Sequence, residues 1–155
     1  MHPKTSTQQP FRHYKFMIPP SFLAERSIAL SGALHCLGTF PLAYIQSLWI
    51  DAYFDGKLAL PFPSPEKVLE ETYRDTQYCV LRSAAGYGRV APDIVFDSLP
   101  YFDGLLEDLG LEGRRKGGLL GLGEVCRGHG PGDYRGLLDE WLKKQGMRWA
   151  KQKDV

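Results

Sequence analysis

The chain has 155 residues, 43% of them hydrophobic and 12% aromatic, among which stand 17 glycines and 11 prolines. That length supports one domain with a modest core, excludes two full ones, and with this apolar content excludes a disordered or fibrous chain. A formal net charge of +1 offers no electrostatic footprint for nucleic acid or an anionic membrane surface.

In chain order, residues 1–12 open with the polar, proline-bearing MHPKTSTQQP and read as a disordered start. Residues 13–145 read as one folded region and 146–155 as a tail. Pro19-Pro20 forces an extended segment. Ile28-Ala-Leu-Ser, a short apolar run bounded by glycine, predicts a buried strand over 27–31. After Gly38, Thr39 can cap a helix over 39–55 whose first turn accepts Pro41. Leu42, Ile45, Trp49, Ala52 and Tyr53 make its apolar stripe, widened by Leu48 and Ile50, and Asp55-Gly56 ends it.

Ser64-Pro65 forms a cap-plus-first-turn pair for a second helix, with Val68, Leu69, Thr72 and Tyr73 predicted on its inner face. Residues 83–92, SAAGYGRVAP, form a loop. Asp97 to Leu109 predicts a third helix, with Pro100 in its first turn, Leu105, Leu106 and Leu109 inward, and Gly110 as the stop. Residues 112–136 hold nine glycines, too many for a regular element. A last helix runs over about 134–144, with Asp139 and Glu140 ahead of Lys143 and Lys144, the order that suits its dipole. The fold class is therefore mostly α with one or two short strands. A lone strand must pair somewhere, so its sheet is expected in another chain or in an absent part of the protein.

The three cysteines, Cys36, Cys79 and Cys126, are odd in number and widely spaced. Without a signal-peptide pattern they read as reduced thiols of a cytoplasmic protein. The apolar stretches 28–37 and 39–50 are interrupted by polar residues, glycine and proline, and fall short of the roughly 20 residues of a membrane span. Gly118, Gly121 and Gly123 do not spell GxGxxG, and no strand precedes them. Arg114, Arg115 and Lys116 could meet a phosphate or form a solvated loop. Cys126 and His129 offer half of a zinc set or a Cys/His pair, and no full metal set assembles. Ser31 and Ser83 lack the G-x-S-x-G elbow. Asp51, Asp55, Asp97 and Asp103 read as caps or solvated faces, and Trp49 with Tyr53 as core. The turn from Gly32 to Gly38 is the feature with a mechanism behind it: backbone N–H groups at a helix start can seat an anionic cofactor atom, although tight packing uses glycine in the same way.

Taken together, Ile18-Pro19-Pro20, Ala29-Leu30-Ser31-Gly32, Cys36-Leu37-Gly38, Ile45-Gln46-Ser47-Leu48-Trp49, GKLALPFPSPEKVLEE, DSLPYFDGLLEDLGL and GPGDYRGLLDEW resemble the C-terminal part of flavin-containing monooxygenases, especially the fungal FMO-like proteins. The likeness covers residues 11–142. It implies a remnant of the C-terminal part of a two-dinucleotide-binding-domain α/β flavoprotein, with 27–31 as the closing strand of its FAD domain. It implies N,N-dimethylaniline-type monooxygenation with FAD, NADPH and O₂, and a cofactor-binding set of Gly32, Gly38, Thr39 and Gln46. The family's GxGxxG, GxGxSG and FxGxxxH motifs are not in this chain, its turn proline is replaced by Cys36, and its helix arginine by Leu48. Both nucleotide sites are needed to hold the reactants together. The resemblance therefore implies a truncated homologue that is inactive alone and completed by a chain carrying the nucleotide-binding domains. The rival readings are a non-catalytic helical interaction module and a small enzyme built on Cys126 and His129.

Overall fold

The computed structural model describes residues 11–113, 115 and 130–146. The disordered-start expectation for residues 1–10, most of the glycine-rich segment with Cys126 and His129, and the tail from 147 onward lie outside them.

Helix α1 (Thr39–Phe54) buries Leu42, Ile45, Leu48, Trp49, Ala52 and Tyr53, with Pro41 and Gln46. Apolar positions on nearly every side make it the central helix of the fold. Gly38, not Thr39, occupies the capping position and makes no side-chain cap bond. Thr39 is already helical, so the expected threonine cap is corrected. Asp55 closes the helix and Gly56 follows in the left-handed region at φ 67°, a conformation glycine adopts without a Cβ penalty.

Helix α2 (Pro65–Arg82) begins as its sequence predicts: Ser64 Oγ accepts the Lys67 N–H at 3.4 Å, with Pro65 in the first turn. Its buried residues are Val68, Thr72, Thr76 and Cys79. Leu69 and Tyr73, expected inward, are 49% and 45% exposed. The threonines take the inner stripe because their hydroxyls donate to carbonyls of their own helix, Thr72 to Val68 and Thr76 to Thr72, both at 2.7 Å. Tyr73 instead lies under the Arg12 guanidinium, 4.7 Å from the ring centre.

A tight turn, Ala84–Arg89, follows α2. A Cβ on Gly88 would stand 2.2 Å from the Cys79 carbonyl oxygen, so only glycine permits this approach. Gly88 N–H donates to Ser83 Oγ, which donates to Asp93 Oδ2, each at 2.8 Å. Helix α3 (Ser98–Asp108) carries Pro100 in its first turn, buries Phe102, Leu105 and Leu106, and is closed by Leu109 and Gly110. Helix α4 (Leu137–Lys144) starts three residues later than the sequence suggests, because Gly136 turns left-handed at φ 79° after the short helical turn Pro131–Tyr134. Leu137 and Trp141 fasten it to the core.

The core is aromatic at its centre. Trp49 and Tyr53 stack at 5.5 Å, and Phe62 meets both rings edge-on. Tyr53 donates its hydroxyl proton to Leu23 O at 2.9 Å. α1 and α3 pack directly on one another.

The expected strand at 27–31 is not formed. Among the described residues the β pairings are isolated bridges, Tyr14 with Ile18 and His35 with Asp93. Leu30 N–H donates to Met17 O at 2.9 Å, and Ile28 and Leu30 remain 42% and 38% exposed. One backbone bond does not make a ladder, and a short apolar run becomes a strand only when a neighbour supplies the rest. The described architecture is mostly helical, with no strand.

Candidate functional site

The turn before α1 is anchored from behind. Gly32 sits at φ 74°, and a Cβ there would meet nothing within 4 Å, so backbone conformation rather than space calls for glycine. Gln46, three residues before Trp49 in α1, is wholly buried. Its Oε1 accepts the Gly32 N–H at 2.7 Å and the Ser31 hydroxyl at 3.2 Å. Its Nε2 donates to the Tyr101 oxygen at 2.7 Å, and Tyr101 donates its own proton to Lys15 O at 2.9 Å.

The network continues through Lys15. Its ammonium pairs with Asp108 Oδ2 at 2.6 Å, and the same oxygen accepts the Trp49 indole N–H at 2.8 Å. Lys15 and Phe16 are both left-handed, at φ 48° and 58°, a conformation that costs non-glycine residues free energy and persists where surrounding contacts hold it. Here Tyr101 supplies such contacts: its hydroxyl takes the Lys15 carbonyl, and its ring lies 5.5 Å from that of Phe16. Burial raises the Tyr101 phenol well above its ordinary pKa, against the opposing hydrogen bond from Gln46, so it is a neutral hydroxyl at physiological pH.

At the start of α1, Cys36 Sγ accepts the Gly38 N–H at 3.3 Å. Burial pushes this thiol upward, while its hydrogen bonds with Gly38 and Ser98 act the other way. A Cβ on Gly38 would touch the Phe102 ring edge at 3.4 Å. Of the four positions carried over from the resemblance, Gly32 and Thr39 are exposed, Gly38 is half-buried, and Gln46 is buried. The structure brings Gln46 and Gly32 into direct contact, and sets Gly38 and Thr39 at the start of the helix that bears Gln46.

Other candidates fall to structural duties. Arg115 makes a two-pronged pair with Glu140, at 2.9 and 2.7 Å, and its Nε donates to Asp133 O; Arg114 and Lys116 lie outside the described residues. Asp55 pairs with Lys57, and Asp97 stands at the capping position of α3 without a side-chain cap bond and accepts the Tyr78 hydroxyl. Among the described residues no group of three or more His, Cys, Asp or Glu could hold a metal ion. No described helix is long and apolar enough to cross a membrane. A groove of about 570 Å³ runs between Leu23, Phe62, Pro63, Val68 and Leu69, with Arg26 as its charged lining residue.

Sequence reasoning missed Tyr101, Lys15 and Asp108. Tyr101 and Asp108 stand in DSLPYFDGLLEDLGL, one of the segments that carries the resemblance, but no spacing rule links Tyr101 to a glutamine 55 positions earlier or Asp108 to a tryptophan 59 positions earlier.

Along most of its length this chain is similar to a segment of the FAD-dependent monooxygenases of fungi. FAD-dependent monooxygenase rstn6 of Aspergillus nomiae is 38% identical over 140 residues, covering 87% of this chain and 23% of that protein. FAD-dependent monooxygenase resA of Aspergillus sclerotiorum is 38% identical over 138 residues, 85% of this chain and 22% of its own length. DEP4 of Fusarium langsethiae, also an FAD-dependent monooxygenase, is 31% identical over 140 residues, 89% and 23% respectively. The chain thus spans less than a quarter of the length of these relatives. No protein-family model and no solved structure matches it.

Proposed function

We propose that residues 13–145 form the helical C-terminal region of an FAD-dependent monooxygenase and supply one wall of its flavin site. The observation that carries this reading is the likeness to such enzymes over 87% of the chain. In it, the exposed backbone of Gly32 and Thr39 and the half-buried Gly38 face the cofactor, while Gln46 acts from behind the turn. The residues fit such a role: Gly32 offers backbone unobstructed by a side chain, and the Gly38 cap of α1 makes no side-chain bond to its first turn, leaving donors for an acceptor group. FAD, with NADPH and O₂, supplies the oxygenation chemistry when bound, in the N,N-dimethylaniline-type manner that the resemblance implies for a small soft nucleophile. This chain's part is to pack beneath the flavin, exclude water and orient the turn. The nucleotide phosphates belong to glycine fingerprints that this sequence does not contain, held in the remaining part of the enzyme or in a complementary chain.

The test is a chimera in which residues 11–146 replace the matching segment of the Aspergillus nomiae relative. Retained flavin absorbance and NADPH oxidation are the expected result. A folded chimera that purifies colourless and stays so with added FAD would overturn the reading.

A second reading, a non-catalytic interaction module, is favoured by one observation. Ile28, Leu30, Leu37 and Phe40 are 42%, 38%, 77% and 84% exposed within one short stretch, more apolar surface than a free turn needs. Under that reading the isolated chain folds, ignores FAD, and the chimera is colourless.

A further inference from the structure

We infer that Tyr101 is a positioning residue, which through Gln46 sets the direction of the hydrogen bonds that hold the Ser31–Gly32 turn. The polarity is fixed from the far end. A backbone carbonyl can only accept, so Lys15 O takes the single hydroxyl proton of Tyr101, at 2.9 Å. With that proton committed, the phenol oxygen meets Gln46 only as an acceptor, and the group 2.7 Å from it is the Gln46 NH₂. The carboxamide is thereby turned with Oε1 toward Gly32 N–H and Ser31 Oγ, at 2.7 and 3.2 Å.

The reversed amide would set its NH₂ against the Gly32 N–H, two donors facing, and its carbonyl against a phenol whose proton is engaged elsewhere. Gln46 is wholly buried, so water does not relieve either mismatch. The chain of bonds runs one way, from Gly32 to Gln46 to Tyr101 to the left-handed bend at Lys15. It ties the turn before α1 to α3 and to the segment that precedes both. Tyr101 does this through Gln46, its hydroxyl bonded to Gln46 Nε2 and Lys15 O. That the turn faces a cofactor rests on the flavin reading; the one-way bonding does not.

The test uses the full 155-residue chain without flavin, so its failure is separate from failure of the chimera. Amide hydrogen exchange is followed by NMR at Gly32 and, as an unconnected control, at Gly88, whose N–H is held by Ser83. Tyr101→Phe removes one oxygen and keeps the ring. The expected result is exchange at Gly32 faster on the order of tenfold, the loss of about one buried hydrogen bond, with Gly88 unchanged. In a Gln46→Met background, where the relay is already cut, adding Tyr101→Phe is expected to leave Gly32 exchange where it was. Unchanged exchange at Gly32, equal acceleration at both glycines, or a Tyr101→Phe effect that survives in Gln46→Met would each overturn the inference.

Discussion

Asp108→Ala removes one carboxylate oxygen that serves two partners. Trp49 is fully buried, and its indole N–H donates to Asp108 Oδ2 at 2.8 Å. A buried donor stripped of a charged acceptor costs about 1.5–3 kcal/mol. The second partner is the Lys15 ammonium at 2.6 Å, with side-chain exposures of 23% for Lys15 and 14% for Asp108. Partial solvent screening holds that pair to about 1 kcal/mol or less. The expected total is about 3 kcal/mol, or roughly 6–12 °C in Tm for a chain of this size. Asp108→Asn keeps an acceptor for Trp49 while giving up the charge, so about 1 kcal/mol is expected. Urea unfolding followed by tryptophan fluorescence measures both, because Trp49 and Trp141 are buried in the folded core. Equal losses in the alanine and asparagine variants would refute the assignment of the larger share to the indole bond, and a loss below 1 kcal/mol for alanine would refute the network.

Three further outcomes are expected. Gly88→Ala sets a methyl group 2.2 Å from the Cys79 carbonyl oxygen, forcing the 84–89 turn off the end of α2 at a cost of about 2 kcal/mol, read as a lower urea midpoint; an unchanged midpoint would contradict the close approach. The Cys79 thiol is pushed up to about 11, chiefly by burial. Since the unfolded thiol ionises near about 8.5, the folded state holds the extra proton between those values. Stability should therefore fall as pH rises from about 8.5 toward 11, and Cys79→Ala should flatten that part of the wild-type stability curve. Leu37→Ser with Phe40→Ser, at positions 77% and 84% exposed, should change the stability of this chain by less than about 0.5 kcal/mol. The same pair should weaken flavin retention in the chimera; full retention would show that this stretch does not face the remainder of the enzyme.

The helices were legible because their signals are local. The stripe of α1, the Ser64-Pro65 start of α2, and the glycines that end α1 and α3 act over one or two turns, and each is found where the spacing places it. Reading failed where a residue's fate depends on a distant partner. Tyr73 looked inward by periodicity, yet Arg12 gives it a seat at the surface, and Thr76 goes inside because its hydroxyl is satisfied by its own helix. The apolar run at 27–31 looked like a strand, but strands are made by neighbours, and here Met17 offers a single bond.

The likeness to FAD-dependent monooxygenases was likewise present in the sequence, carried by motifs whose order along the chain needs no coordinates. What depended on the tertiary structure was how those motifs work on one another. Gly32 and Gln46 could be named from the motifs, but not that Gln46 is buried behind Gly32, nor that Tyr101 and Lys15 set its direction. Periodicity describes which face of a helix avoids water. It carries no information about which polar groups meet across 55 or 86 positions, because those bonds exist only once the helices have packed and water has been removed from between them.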